Sequence, residues 1–204
     1  MLRRLGYVLC AIGVLCILGA AGVLAHNVQE ERQAEQAVRQ ILPQLTQAVE
    51  HTRAQMDLHA APEQDEMAAE ESEAAVADLD DTYLGILRIP AVELELPVYA
   101  QWNEDSLTTA PCRYAGSLQT GDLVIAGHNY ADSFRRLGSL TAGSEVALTD
   151  MEGTEHTFRV TALQTLGAGE VQQMLSGDWE LTLFTCTFGG QSRIAVRCRE
   201  ENAG

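Results

Sequence analysis

Residues 82–204 predict a mainly β domain, a closed barrel or a sandwich, carried on an N-terminal apolar helix and a helical stalk. Three observations predict this. Seven short runs rich in Val, Ile and Leu alternate with glycine-bearing turns after residue 82. Helical material in that stretch is confined to turns near 133–140 and 170–176. Upstream, an uncharged apolar run leads into a pattern of 3.6-residue period. The 204 residues thereby divide into a cytoplasmic tip and membrane anchor over 1–26, a helical stalk and acidic linker over 27–81, and a folded domain over 82–204. The last of these is long enough for one real core.

Residues 5–25, LGYVLCAIGVLCILGAAGVLA, run 21 residues without a charge, and about 20 suffice to cross the hydrocarbon core. Arg3 and Arg4 precede the run and acid follows it, which sets the short N-terminus in the cytoplasm and the bulk of the chain outside. A cleaved signal peptide is the competing reading. The run exceeds the roughly 7–15 residues of a signal core and no clean A-x-A site follows, so the uncleaved single-pass anchor is preferred. Either reading exports the domain.

From Val28 to about Leu58 the apolar residues Val38, Ile41, Leu42, Leu45, Val49 and Met56 follow helical spacing, with Pro43 expected to kink or divide the helix. Such a helix could lie against the domain, pair with a copy of itself, or stand as a weakly ordered stalk. Residues 62–81 are acidic and lack aromatics until Tyr83, so they read as a flexible linker. The formal charge of −16 is concentrated here: residues 27–81 hold 3 Arg against 14 acids, and residues 82–204 hold 8 Arg against 15. No basic cluster follows Arg4, which excludes a nucleic-acid surface. The chain has no lysine. Codon bias explains this plainly, although an enzyme that acylates amines would also gain from offering none of its own.

In the domain, strands are expected near 83–90, 94–100, 122–128, 144–150, 155–166, 180–187 and 192–200. Its reactive inventory is short: Cys112, Cys186 and Cys198, with His128 and His156. Cys186 ends the apolar strand LTLFTC, on the face shared by Thr182 and Phe184, and a Gly-Gly turn follows. His128 ends the strand LVIAGH and is the candidate base that a thiol nucleophile requires. His156 sits mid-strand and is the weaker candidate. Arg193 opens the last strand, and the tight link TFGGQS should bring its guanidinium near the thiol, where a fixed cation can stabilise the anion of acyl transfer. Arg197 shares that face about 13 Å further on. Cys112 and Cys198 read as buried apolar residues or as a disulfide pair.

Together these features resemble the sortase family of cell-wall transpeptidases. The family's Cys motif is T-L-x-T-C, and residues 182–186 read T-L-F-T-C. Its His follows an apolar-x-G context, matched by V-I-A-G-H at 124–128, and its Arg opens the following strand, as Arg193 does. The resemblance spans about residues 83–200. The pair His128-Asn129 is similar to the class B branch, while the compact domain is similar to the class D or E branches. The short Cys-to-Arg loop departs from longer versions.

The resemblance implies a closed eight-stranded β-barrel with one or two short helices. It implies that Cys186 attacks an LPxTG-like sorting signal of surface-protein substrates, and that an amine of a cell-wall precursor or a pilin resolves the thioester. His128 would serve as acid and base, Arg193 would orient substrate and steady the oxyanion, and Thr185 would help bind substrate. Only part of the Cys and His would carry the thiolate–imidazolium charges at once. No cofactor and no metal are implied. An L,D-transpeptidase would show Gly before its Cys, where this chain has Thr185. A non-catalytic tethered barrel would need no alignment of Cys, His and Arg.

Overall fold

The computed structural model describes residues 2–58, 79 and 81–201. Most of the acidic linker expected over 62–81 lies outside these. The chain opens with one helix, α1 (Leu2–Leu58). From Ile12 onward its apolar stretch faces outward, with Ile17 70 % exposed, and includes an 18-residue window of mean hydropathy 1.6 that buries nothing against the protein. Length and composition suit a membrane span.

The second half of α1 lies against the domain. Leu45 and Val49 are buried with Tyr83, Ile86 and Met151, and Ile41 and Leu42 pack beside them. Their spacing of three and four residues puts them on one stripe, and each buried Leu or Val contributes about 1.5–3 kcal/mol. Met56, assigned to the same stripe by spacing, is exposed. Pro43 does not divide the helix. It lacks one backbone donor, but the surrounding turns are held from outside by this packing. Gly153 shows how close the contact is: a Cβ there would stand 2.9 Å from the Cβ of Arg53.

Eight strands form the domain: β1 (Tyr83–Ile89), β2 (Leu94–Tyr99), β3 (Cys112–Ala115), β4 (Leu123–Ala126), β5 (Glu145–Asp150), β6 (Glu155–Gly167), β7 (Leu181–Cys186) and β8 (Ser192–Glu200). They close into a barrel in the order β1-β2-β3-β4-β7-β8-β6-β5. Closure resolves the barrel-or-sandwich alternative. Seven of the strands match the expected runs. The eighth, β3, is only four residues long, and its unbroken apolar signal is nil.

The interior is filled by alternate residues, among them Leu87, Leu96, Ile125, Leu148, Leu183, Val196 and Cys198. The short helical pieces are a 3-10 turn over Pro90–Val92, α2 (Glu104–Thr109), a 3-10 turn over Phe134–Ser139 whose Phe134 and Leu137 join the main core, and α3 (Val171–Leu175). The last two were expected. Helix α2 is capped by Asn103, whose Oδ1 accepts from the Ser106 N–H at 2.8 Å.

Candidate functional site

Alternation along β7 decides which way its side chains point. Leu181, Leu183 and Thr185 are buried inward, while Thr182, Phe184 and Cys186 face out of the barrel. Cys186 is therefore displayed on the outer wall at a strand end. Strand β8 returns antiparallel, with Cys186 directly paired to Arg193, which sets their Cα atoms about 4.5–5.5 Å apart. The hairpin between them is fastened by Thr187 and Ser192, whose hydroxyl oxygens lie 3.0 Å apart.

On its other side β7 runs parallel to β4, with Ala126 paired to Phe184. Gly127 N–H extends the ladder to the Phe184 carbonyl at 3.0 Å. His128 follows two residues after the last β4–β7 pair and lines the same groove as Cys186. Gly127 is required by packing: a Cβ would come 2.5 Å from the ring of buried Phe134. The His128 ring stacks on Tyr130 at 4.9 Å between centroids, and the Phe134 N–H donates to the His128 carbonyl at 3.1 Å.

His128, Cys186 and Arg193 line one groove of about 210 Å³. Its walls carry Trp102, Tyr114 and Phe184, joined edge to face, and Val171 and Met174 of α3. Beneath α3 sits a separate apolar cluster of Val124, Leu166, Met174 and Ala195 on the outer face of the barrel. The groove thus combines an apolar wall with three polar groups, the usual make-up of a small recognition site. No hydrogen bond joins Cys186 to His128 or Arg193 among the described residues. Nη1 of Arg193 donates to the carbonyls of Gly190 at 2.9 Å and Ser192 at 3.1 Å. Its Nε and Nη2 have no partner among the described residues.

Burial lowers the pKa of His128 below its usual 6.5, and the carboxylates of Glu30 on α1 and Glu104 on α2 act the other way. The neutral ring is favoured at neutral pH. Burial pushes the thiols of Cys112 and Cys198 up, to about 11 and about 12. Both are buried free thiols, and neither can serve as a nucleophile at neutral pH.

The structure therefore brings His128, Cys186 and Arg193 to one groove. Thr185 does not line it. Its side chain is 1 % exposed and inward, and Oγ1 has no partner among the described residues. His156 stands apart, its Nε2 2.9 Å from Asp150 and its Nδ1 3.4 Å from Glu200. Arg197, set aside by distance along the strand, lies buried under α3. The stalk also reaches the site. Glu31 accepts from the Ala131 N–H and pairs with Arg135 at 3.1 Å, next to the loop that follows His128.

A family model for the Sortase domain matches residues 87–201. Sortase A of Bacillus anthracis is 31 % identical over 122 residues, which cover 56 % of this chain and 58 % of that protein. The chain thus spans a little over half the length of this relative. Among solved structures, sortase C of Streptococcus pneumoniae superposes with a TM-score of 0.57 at 21 % identity, over 81 % of this chain and 96 % of that one. Clostridium perfringens sortase C, solved with the C-terminal cell wall sorting motif, gives a TM-score of 0.52 at 18 % identity, over 80 % and 90 % of the two chains. At such identities the structural likeness carries the fold alone.

Proposed function

From the premise that this chain belongs to the sortase family, we propose that it is a membrane-anchored cysteine transpeptidase acting outside the cytoplasm on an LPxTG-like sorting signal. The observation that carries this reading is the register of β4, β7 and β8, which draws His128, Cys186 and Arg193 into one groove.

In the first half-reaction the Cys186 thiolate attacks the carbonyl carbon of the scissile Thr–Gly bond. The free Nε and Nη2 N–H groups of Arg193 stabilise the oxyanion as it develops. The C–N bond then breaks, and protonated His128 gives its proton to the departing Gly amine. A thioester on Cys186 remains. In the second half an acceptor amine, from a cell-wall precursor or a pilin, attacks that thioester and yields its proton to neutral His128. The amide bond forms and the Cys186 thiolate is released. Burial of His128 keeps the imidazolium scarce at neutral pH.

The apolar wall of Trp102, Tyr114 and Phe184 suits the apolar side chains of such a signal. Thr185 does not reach the groove; it sits beneath the strand end that presents Cys186, inside the barrel. Membrane attachment rests on the outward apolar face of α1 and on the charge asymmetry around it.

The test uses the full chain in detergent micelles with a fluorescence-quenched library of LPxTG-type peptides, with and without an added amine. Cleavage that requires Cys186 and joins the acyl fragment to the amine is the expected result. No cleavage of any peptide, with Cys186 unreactive toward a thiol-directed vinyl sulfone, would refute the reading.

A further inference from the structure

Arg197 is 2 % exposed, yet its guanidinium has no carboxylate among its acceptors. Nε donates to Gln164 Oε1 at 3.0 Å, Nη1 to Thr182 Oγ1 at 3.0 Å and to the Met174 carbonyl at 2.8 Å, and Nη2 to the Gln173 carbonyl at 2.5 Å. A buried charge is expensive unless hydrogen bonds replace its water. Four neutral oxygens do so here, on three elements besides β8 itself: β6, β7 and α3.

The geometry explains what the arrangement holds. Thr182 is paired with Arg197 as Cys186 is with Arg193, one face and four residues apart along the same hairpin. The carbonyls at Gln173 and Met174 belong to α3, which supplies the Val171 and Met174 wall of the groove. The segment around α3 contains Gly167, Gly169 and Gly177, and a chain so rich in glycine loses much entropy when ordered. It is tied at its start by Glu170, which accepts from the Gly167 N–H at 2.5 Å and from Gln173 Nε2 at 2.9 Å. Arg197 ties its end.

We propose that Arg197 is a positioning residue that fixes α3 as one wall of the peptide groove at a set distance from Cys186, so that it governs substrate affinity and selectivity and leaves bond breaking to Cys186, His128 and Arg193. This inference rests on the reading of the groove as the peptide site. Lysine cannot replace Arg here, because one ammonium on a flexible stem does not reach acceptors in four directions.

The experiment compares the full chain in micelles with Arg197→Lys, Arg197→Met and Gln164→Leu, the last removing one acceptor from an exposed position. Peptide cleavage kinetics, alkylation of Cys186 by iodoacetamide and hydrogen exchange of the α3 amides are measured together. KM should rise at least tenfold in Arg197→Met, less in Arg197→Lys and least in Gln164→Leu. Within the same series kcat should stay within threefold, the alkylation rate within twofold, and α3 should exchange faster. An unchanged KM in both Arg197 variants overturns the proposal, as does a loss of kcat that simply follows the fall in Tm. If the wild-type chain cleaves no peptide, the transpeptidase reading falls, and unchanged α3 exchange in Arg197→Lys would overturn the tether on its own.

Discussion

Cys186 and Arg193 face each other across the β7–β8 hairpin, and Arg193 is held there by two carbonyls of the hairpin itself, Gly190 and Ser192. The turn that sets their distance therefore also aims the guanidinium. Because Arg193 keeps two nitrogens free for an oxyanion, Arg193→Ala should lower kcat/KM by about 10²–10³. Arg193→Lys should recover only part of that, since an ammonium lacks the fork. The residue is only half-buried, so Tm should move by no more than about 3 °C. Steady-state kinetics beside a thermal melt separates the two effects, and a large Tm loss would recast Arg193 as structural.

His128 is pulled in two directions, by burial that lowers its pKa and by Glu30 and Glu104 that raise it. Glu30→Gln removes one of the opposing charges, so the midpoint, already below 6.5, should fall further. Between the folded and unfolded values the unfolded chain binds more protons, so the stability contributed by neutral His128 is lost as pH falls through that window. An NMR titration of the His128 ring in the Cys186→Ala chain measures the midpoint. A value above 6.5, or a rise in Glu30→Gln, contradicts the assignment.

The placement of Cys186 beside Arg193 was legible because it follows from local rules. Alternation along LTLFTC puts Cys186 opposite Leu183 and Thr185 in facing, and a six-residue link to Arg193 makes a hairpin. Other features depend on contacts of longer range. Strand β3 is four residues of mixed polarity, and it pairs with β2 through a single bridge, Tyr99 to Cys112. Helix α2 carried a readable signal, Asn103 followed by Glu104 and Asp105, in a segment too short to be periodic. The direction in which Thr185 points was implicit in the alternation. The burial of Arg197 was not, because it results from α3 folding back over the barrel. The stalk pattern named its apolar face correctly at Leu45 and Val49, but a stripe does not state what covers it.

Gly127 should tolerate no side chain. Alanine there drives a methyl to 2.5 Å from the Phe134 ring, and overpacking of this kind costs about 1–3 kcal/mol. The strain is relieved either by Phe134, which is fully buried, or by the loop that carries His128. A displacement of about 1 Å at His128 would cost roughly 10² in rate. Gly127→Ala is therefore expected to lose activity out of proportion to its loss of Tm. Adding Phe134→Leu to make room should restore part of the rate. If the double variant is as slow as the single one, the two residues are not coupled through this contact.

The docked stalk can be tested through Leu45, which is fully buried between α1 and the barrel. Leu45→Ala should cost about 2–5 kcal/mol at this contact, and 2 kcal/mol already corresponds to a change of about thirtyfold in an equilibrium. The loss falls on the junction between helix and barrel, because the main core on the far side of β1 is untouched. Trypsin reports the difference well in a chain without lysine, since α1 offers only Arg32, Arg39 and Arg53 past its membrane half. Cleavage after Arg53, whose Cβ abuts Gly153, should accelerate at least tenfold in micelles, while the barrel remains resistant. Equal rates in the two proteins would mean that the stalk stands free of the domain in solution. In that case Glu30 could not act on His128, and the shift expected in Glu30→Gln would vanish with it.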